Sequence, residues 1–242
     1  MSDFELQNKE MVAKMAADAA LGKSAKTLFD AANLYQYSYH FTWLGRPIIQ
    51  YPQDMVAVQE IIWRTKPDLI IETGVAHGGS LILSASILEL IGGEGEVLGI
   101  DVDIRAHNRS SIEEHPMFRR ISLIEGSSVS EEVMSLVRKR AEGKKRILVL
   151  LDSNHTHAHV KQELELYSPL VTKDSYLVVF DTVIEDMPSA TWENRSWGHG
   201  NNPKTAVWEF LKENNRFEID RELEGKLLLT VAPDGYLKCL AD

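Results

Sequence analysis

Asp152 and Asp181 each follow an unbroken apolar run, 147–151 and 176–180. Short apolar runs that end in an acid read as buried strands carrying the carboxylates at their carboxyl ends. If the two strands are neighbours, both aspartates meet at one rim of a sheet, where they repel unless they share a proton or a cation. A hard divalent ion with oxygen ligands, Mg2+ first, resolves that repulsion and acidifies a bound hydroxyl. Each aspartate is equally able to cap the helix or turn after its strand. His155 and His157 follow Asp152 closely, and with the carboxylates they admit a zinc or iron site, but a pair at i, i+2 is not a specific metal signature.

The stretch from Asp68 to Ser80 reads Asp-Leu-Ile-Ile-Glu-Thr-Gly-Val-Ala-His-Gly-Gly-Ser and opens into a helical pattern. A strand that runs into a glycine turn and then a helix brings bare backbone N–H groups to a ligand at the sheet edge. This marks a nucleotide-type cofactor site. Ala76 stands where a dinucleotide fingerprint has its second glycine, and no Gly-Lys-Ser/Thr follows to hold a triphosphate. Within the turn, Gly74 is the position where backbone is expected to approach the cofactor most closely. The next apolar run ends in Asp101-Val102-Asp103. Asp101 is placed to accept hydrogen bonds from two ribose hydroxyls, with Asp103 as a neighbour able to share them.

These residues require alternating strands and helices to position them. The pattern predicts strands over 69–72, 96–101, 120–125, 147–152, 175–181 and 216–220, and helices over 80–91, 130–141, 157–167 and 203–214. Repeated strand-helix-strand units imply an α/β fold, a Rossmann-like, doubly wound and mostly parallel sheet. A last strand over 226–232 follows a short turn and is expected to be antiparallel. An amphipathic helix over 10–20 and the aromatic segment 34–43 precede this core, so we divide the chain into an N-terminal helical and aromatic extension, 1–45, and one cofactor-binding domain, 46–242. Asp54 is expected to cap a helix over 55–64. The one long irregular connection, 182–203, carries Trp192 and Trp197 and reads as a lid over the acceptor.

The 242 residues carry a net charge of −10, with 44% hydrophobic and 26% charged residues. That acidic balance opposes a phosphate-backbone partner, so no nucleic acid is expected. No apolar run reaches the roughly 18 residues of a membrane span, and the first ten residues lack the order of a signal peptide. The single Cys239 excludes an intrachain disulfide, and a cytoplasmic location is expected. The partners expected are a small-molecule or glycan acceptor and further copies of the chain in a homo-oligomer.

Glu72-x-Gly74-x-x-x-Gly78 resembles the first motif of class I S-adenosylmethionine methyltransferases. With the runs Trp43-x-Gly45, Gly99-Ile100-Asp101-Val102-Asp103, Leu151-Asp152-Ser153-x-His155, Tyr176-Leu177-Val178-Val179-x-Asp181-Thr182 and Gly200-Asn201-Asn202-Pro203-Lys204, residues from about 40 to 240 resemble the cephalosporin hydroxylase family. The family's fold is that of a class I methyltransferase, and its relatives include rhamnosyl O-methyltransferases. The resemblance implies S-adenosylmethionine bound along Glu72, Gly74, Ala76, Gly78, Ser80, Asp101, Asp103 and Asp152, with Ser127 beside the adenine. It also implies Mg2+ at Asp152 and Asp181. Phe180 stands where the family pattern has an acid, so the third protein ligand is open among Thr182, Glu185, Asp186 and water. By likeness to catechol-type O-methyltransferases, His155 is the base, acting with Asp152; histidine exchanges protons near neutral pH. The function implied is methylation of a hydroxyl on a sugar of a surface glycan or glycolipid, or on a secondary metabolite. A hydroxylase and a non-catalytic cofactor-binding protein are the alternatives.

Overall fold

A computed structural model describes residues 2–242. The alternation predicted from the apolar runs holds, and five strands lie parallel at the centre of the molecule. These are β3 (Leu69–Thr73), β4 (Glu96–Asp101), β5 (Ile121–Glu125), β6 (Ile147–Leu151) and β7 (Tyr176–Val179). With β8 (Phe217–Ile219) and β9 (Tyr236–Cys239) they form a seven-stranded sheet in the order β5-β4-β3-β6-β7-β9-β8. Every residue of β3, β6 and β7 is buried, as a sheet covered on both faces requires. The register sets Thr73 opposite Ile100 on one side and Leu151 on the other. Val179 lies opposite Leu151, so the carboxyl ends of β3, β4, β6 and β7 converge on one rim.

Helices α3 (Pro52–Thr65), α4 (Gly79–Ile91), α5 (Ala106–Glu113), α6 (Glu131–Ala141), α7 (His157–Tyr167), α8 (Pro203–Glu213) and α9 (Arg221–Leu227) cover the two faces. One apolar core packs α3 and α4 on the sheet, and a second packs α6, α7 and α8 on its other face. α5 was not foreseen, because Ala106-His-Asn-Arg-Ser-Ser-Ile-Glu buries only Asn108 and Ile112 and has almost no apolar periodicity. No helix among the described residues is long and apolar enough to cross a membrane.

The last strand is antiparallel to both β7 and β8, but its residues are not those expected. Residues 226 and 227 end α9, and the apolar run continues as irregular chain, with Val231 and Ala232 buried. The strand starts only after the turn at Asp234 and Gly235, where a Cβ on Gly235 would meet the Val179 carbonyl oxygen at 2.1 Å. Periodicity cannot separate a buried strand from buried coil over so few residues. Asp54 also differs from expectation. Pro52 takes the first helical position of α3 and Tyr51 is its N-cap, an arrangement proline favours. Asp54 lies inside the helix, fully buried, accepting bonds from the Thr230 hydroxyl, the Val231 N–H (2.9 Å) and the Tyr236 hydroxyl (2.6 Å). It ties α3 to the segment beside β9, and its burial lifts its pKa to about 6.

Two N-terminal helices stand in place of one: α1 (Asp3–Ala17) and α2 (Ala19–Asn33), divided at Asp18, which caps α2 through Ala20 and Leu21. α1 buries no residue of its own and lies against α9, where Gly225 admits Ala16. α2 buries Phe29, which stacks on Tyr51 with ring centroids 4.7 Å apart. A hairpin of β1 (Phe41–Trp43) and β2 (Arg46–Ile48) then lays Pro47 and Ile48 against the start of α4.

Candidate active site

The glycine turn between β3 and α4 has its shape set largely by the chain around it. Gly74 has φ +92°, and a Cβ there would sit 2.0 Å from the Asp152 carbonyl oxygen. On Gly78 a Cβ would strike the Ile112 side chain at 2.5 Å, and on Gly79 the Pro47 carbonyl oxygen at 2.2 Å. Asp101 braces the same turn. Its Oδ2 accepts the N–H groups of Val75 (2.8 Å) and Ala76 (3.2 Å), and its Oδ1 accepts that of Asp103 (3.1 Å). A carboxylate offers about four acceptor positions, so one remains for a ligand hydroxyl, where two had been expected. Arg46 and Asn108 complete the brace. Arg46 donates to the His77 carbonyl (2.6 Å) and to Asn108 Oδ1 (3.2 Å), and Asn108 Nδ2 donates to the Ala76 carbonyl (2.9 Å). Neither residue carried a sequence signal, because each acts through contacts more than 30 positions away.

Glu72 lies behind the turn, 2% exposed. It accepts the Ser80 hydroxyl through Oε1, while Oε2 has no hydrogen-bond partner among the described residues. Burial raises its pKa to about 7, the Ser80 bond offsetting this only in part. In the unfolded chain it ionises near the ordinary value of 4.5, so its contribution to stability is full below that pH and is lost as pH rises to about 7. Glu72→Gln is therefore expected to leave unliganded stability unchanged near pH 4 and to raise it by on the order of 2–3 kcal/mol at pH 8. Denaturant unfolding of both proteins across pH checks this; a gain independent of pH would contradict it.

Asp152 and Asp181 do meet at the rim. Asp152 follows β6 directly, its N–H bonded to the Thr73 carbonyl at 2.9 Å, and Asp181 follows β7 in a left-handed conformation, φ 55°. With His155 they form a cluster whose ligand atoms all lie within 4.8 Å of one another. His155 Nε2 is 3.2 Å from Asp181 Oδ2, and its ring meets Trp197 edge-on with centroids 4.9 Å apart. Burial, then the negative charges of Asp181, Glu72, Glu163 and Asp54, hold the Asp152 carboxyl well above the ordinary range. Among the described residues, the only polar side chain hydrogen-bonded to the Asp152 carboxylate is Gln50, whose Nε2 donates to Oδ2 at 3.3 Å. Two carboxylates among further buried acids suit a hard divalent cation with oxygen ligands, and the imidazole stands beside them.

The candidates for the third ligand separate cleanly. Thr182 is fully buried and its hydroxyl donates to the Pro233 carbonyl at 2.6 Å. Glu185 accepts from the Gly200 N–H (2.8 Å) and from Asn202 Nδ2, and Asp186 pairs with Lys204 at 2.6 Å. Both acids thus pin the chain after β7 to the start of α8. Phe180 is buried in the core. His155 is the third side chain of the cluster, and of the ligands expected beside the two aspartates this leaves water, which Mg2+ accepts readily.

A cavity of about 480 Å3 joins these parts, running from Ala76, Ser80 and Asp101 past Asp152 and Asp181 to Trp192 and Trp197. Ser127 and Asp103 lie outside its wall. His157, the other histidine of the pair, bonds Thr205 (2.8 Å) and Glu209 (3.0 Å) and joins α7 to α8. The connection 182–203 contains the short 3-10 turns Thr182–Asp186 and Ser189–Trp192 and a bridge between Gly198 and Asn201.

The family described as Rhamnosyl O-methyltransferase/CmcI matches residues 35–240. A rhamnosyl O-methyltransferase of Mycobacterium bovis is 32% identical over 201 residues, covering 81% of this chain and 77% of its own. Another from Mycobacterium leprae is 29% identical over 198 residues, covering 81% and 82%. Among solved structures, the Mg-SAM form of CmcI superposes with a TM-score of 0.58 at 17% identity, covering 84% of this chain and 78% of that one. An O-methyltransferase from Bacillus cereus in complex with SAH gives 0.51 at 16%, covering 83% and 82%. At those identities the two structures share the fold.

Proposed function

The chain belongs to the rhamnosyl O-methyltransferase/CmcI family, and on that premise we propose that this S-adenosylmethionine-dependent O-methyltransferase acts on a sugar hydroxyl beside a divalent cation held by Asp152 and Asp181. The observation that carries the reading is the convergence of Asp152, His155 and Asp181 at the strand rim, in one cavity with the braced glycine turn. The curated relatives are named for a rhamnosyl acceptor, which supports a sugar here. Residues 46–242 form the methyltransferase domain in this reading, and 1–45 the extension.

Bound Mg2+ would supply charge that acidifies the acceptor hydroxyl and orients it. The chain supplies the rest. The turn from Gly74 to Ser80, braced by Asp101, would hold the cofactor. His155 would take the proton of the acceptor hydroxyl. Bound S-adenosylmethionine would supply an electrophilic methyl group, the acceptor oxygen gaining it as a methyl ether while the sulfur keeps the electron pair of the broken bond and S-adenosylhomocysteine departs. Holding oxygen, carbon and sulfur in line supplies most of the advantage, and Trp192 and Trp197 close the cavity against water.

The test is methyl transfer from S-adenosylmethionine to methyl α-L-rhamnoside with Mg2+ present. His155→Ala is expected to keep metal binding and to lower turnover by roughly 100-fold or more, with partial recovery at high pH where solvent base substitutes. Weakened Mg2+ binding in this variant would instead make His155 a ligand.

A further inference from the structure

Besides the two tryptophans, the cavity is walled by residues from the N-terminal extension: Asn33 at the end of α2, then Gln36, Ser38 and Tyr39. α2 lies wholly before the residues that the family matches, and Gln36 and Ser38 stand at their very start. The wall is anchored to the reacting centre through two consecutive residues. Tyr51 stacks on Phe29 and donates its hydroxyl to Asn33 Oδ1 at 3.1 Å, while Gln50 donates to Asp152. Asn33 Nδ2 is a buried donor with no hydrogen-bond partner among the described residues, a state that costs free energy until an acceptor oxygen arrives. Gln36 is exposed and Ser38 half-buried, and the side chain of neither makes a hydrogen bond among the described residues. Gln36 has φ 53° and stands at the break between α2 and the 3-10 turn Tyr37–His40.

We propose that Asn33, Gln36 and Ser38 form the acceptor subsite that sets specificity in this enzyme, binding the hydroxyls of an uncharged ring through neutral amide and hydroxyl groups. Neutral donors and acceptors in a wall that also carries aromatic rings suit a polyhydroxylated ring, and the guanidinium of the cavity wall, Arg195, lies over the Trp197 ring, 5.2 Å from its centroid. The proposal rests on the sugar reading above and adds to it where selectivity resides: in a segment that straddles the start of the family's match.

Two experiments on the full chain test it, both with methyl α-L-rhamnoside as the probe. In the first, Gln36→Asn, which keeps a residue tolerant of positive φ but shortens its reach, is combined with Ser38→Ala. KM for the glycoside is expected to rise by roughly 10-fold, with kcat and the calorimetric affinity for S-adenosylhomocysteine each within about twofold of wild type. In the second, Ser38→Cys is alkylated. The native Cys239 is buried, so labelling reports the wall, and the glycoside with S-adenosylhomocysteine is expected to slow it several-fold. Transfer by the wild type with unchanged KM in the double variant, or no protection of the introduced thiol, overturns the wall alone. Absence of transfer by the wild type overturns the sugar reading and the subsite with it.

Discussion

Asp152→Asn and Asp181→Asn are each expected to lose methyl transfer by 100-fold or more while keeping cofactor affinity, and the double variant to be no worse than either single one. The two side chains end adjacent parallel strands and share one cluster with His155, so removing either charge breaks the same cation site. Chelation of the wild type should reproduce the loss, with Mg2+ restoring activity to the wild type only. A stability measurement separates this from general damage. Asp152 is held well above its ordinary pKa by burial and by four neighbouring acids, so without metal its charge destabilises the fold. Asp152→Asn is accordingly expected to unfold at a temperature no lower than the wild type at neutral pH. Full activity in chelator would refute the cation, and additive losses would refute a shared site.

Gly74→Ala has the second-largest expected effect. The added Cβ would overlap the Asp152 carbonyl, 2.0 Å away, at φ +92°, so either the turn or the end of β6 must move. We expect loss of S-adenosylhomocysteine binding by calorimetry together with loss of stability of about 1–3 kcal/mol or more. Ala76→Gly is the control. Ala76 has φ 44°, which glycine adopts without strain, so this variant should bind the cofactor as the wild type does. A Gly74→Ala protein that binds normally would mean that the turn shifts freely and that its close approach to Asp152 serves nothing.

The acidic strand ends were legible because a doubly wound sheet concentrates function at one rim. Apolar runs of four or five residues followed by Asp101, Asp152 and Asp181 therefore named the rim before its geometry was visible. The glycines were legible as positions but not as causes. Gly74, Gly78 and Gly79 are bare to admit Asp152, Ile112 and Pro47, residues 32 to 78 positions away in sequence. Asp54 shows the same limit. An aspartate near a helix start reads as a cap, and only the packing of residues 230–236 against α3 makes it a buried acceptor.

Local pattern determined the strand-helix alternation, the turn that opens α4 and the types of residue at the rim, since periodicity and turn chemistry depend on near neighbours. Tertiary structure decided what those residues do. It assigned three of Asp101's acceptor positions to backbone and committed Thr182, Glu185 and Asp186 to Pro233 and α8. It brought His155 to Asp181 and placed the end of α2 in the cavity wall. The physical reason is that a hydrogen bond or a charge is defined by the atoms around it, and at this rim those atoms come from segments spread across the chain from Asn33 to Pro233.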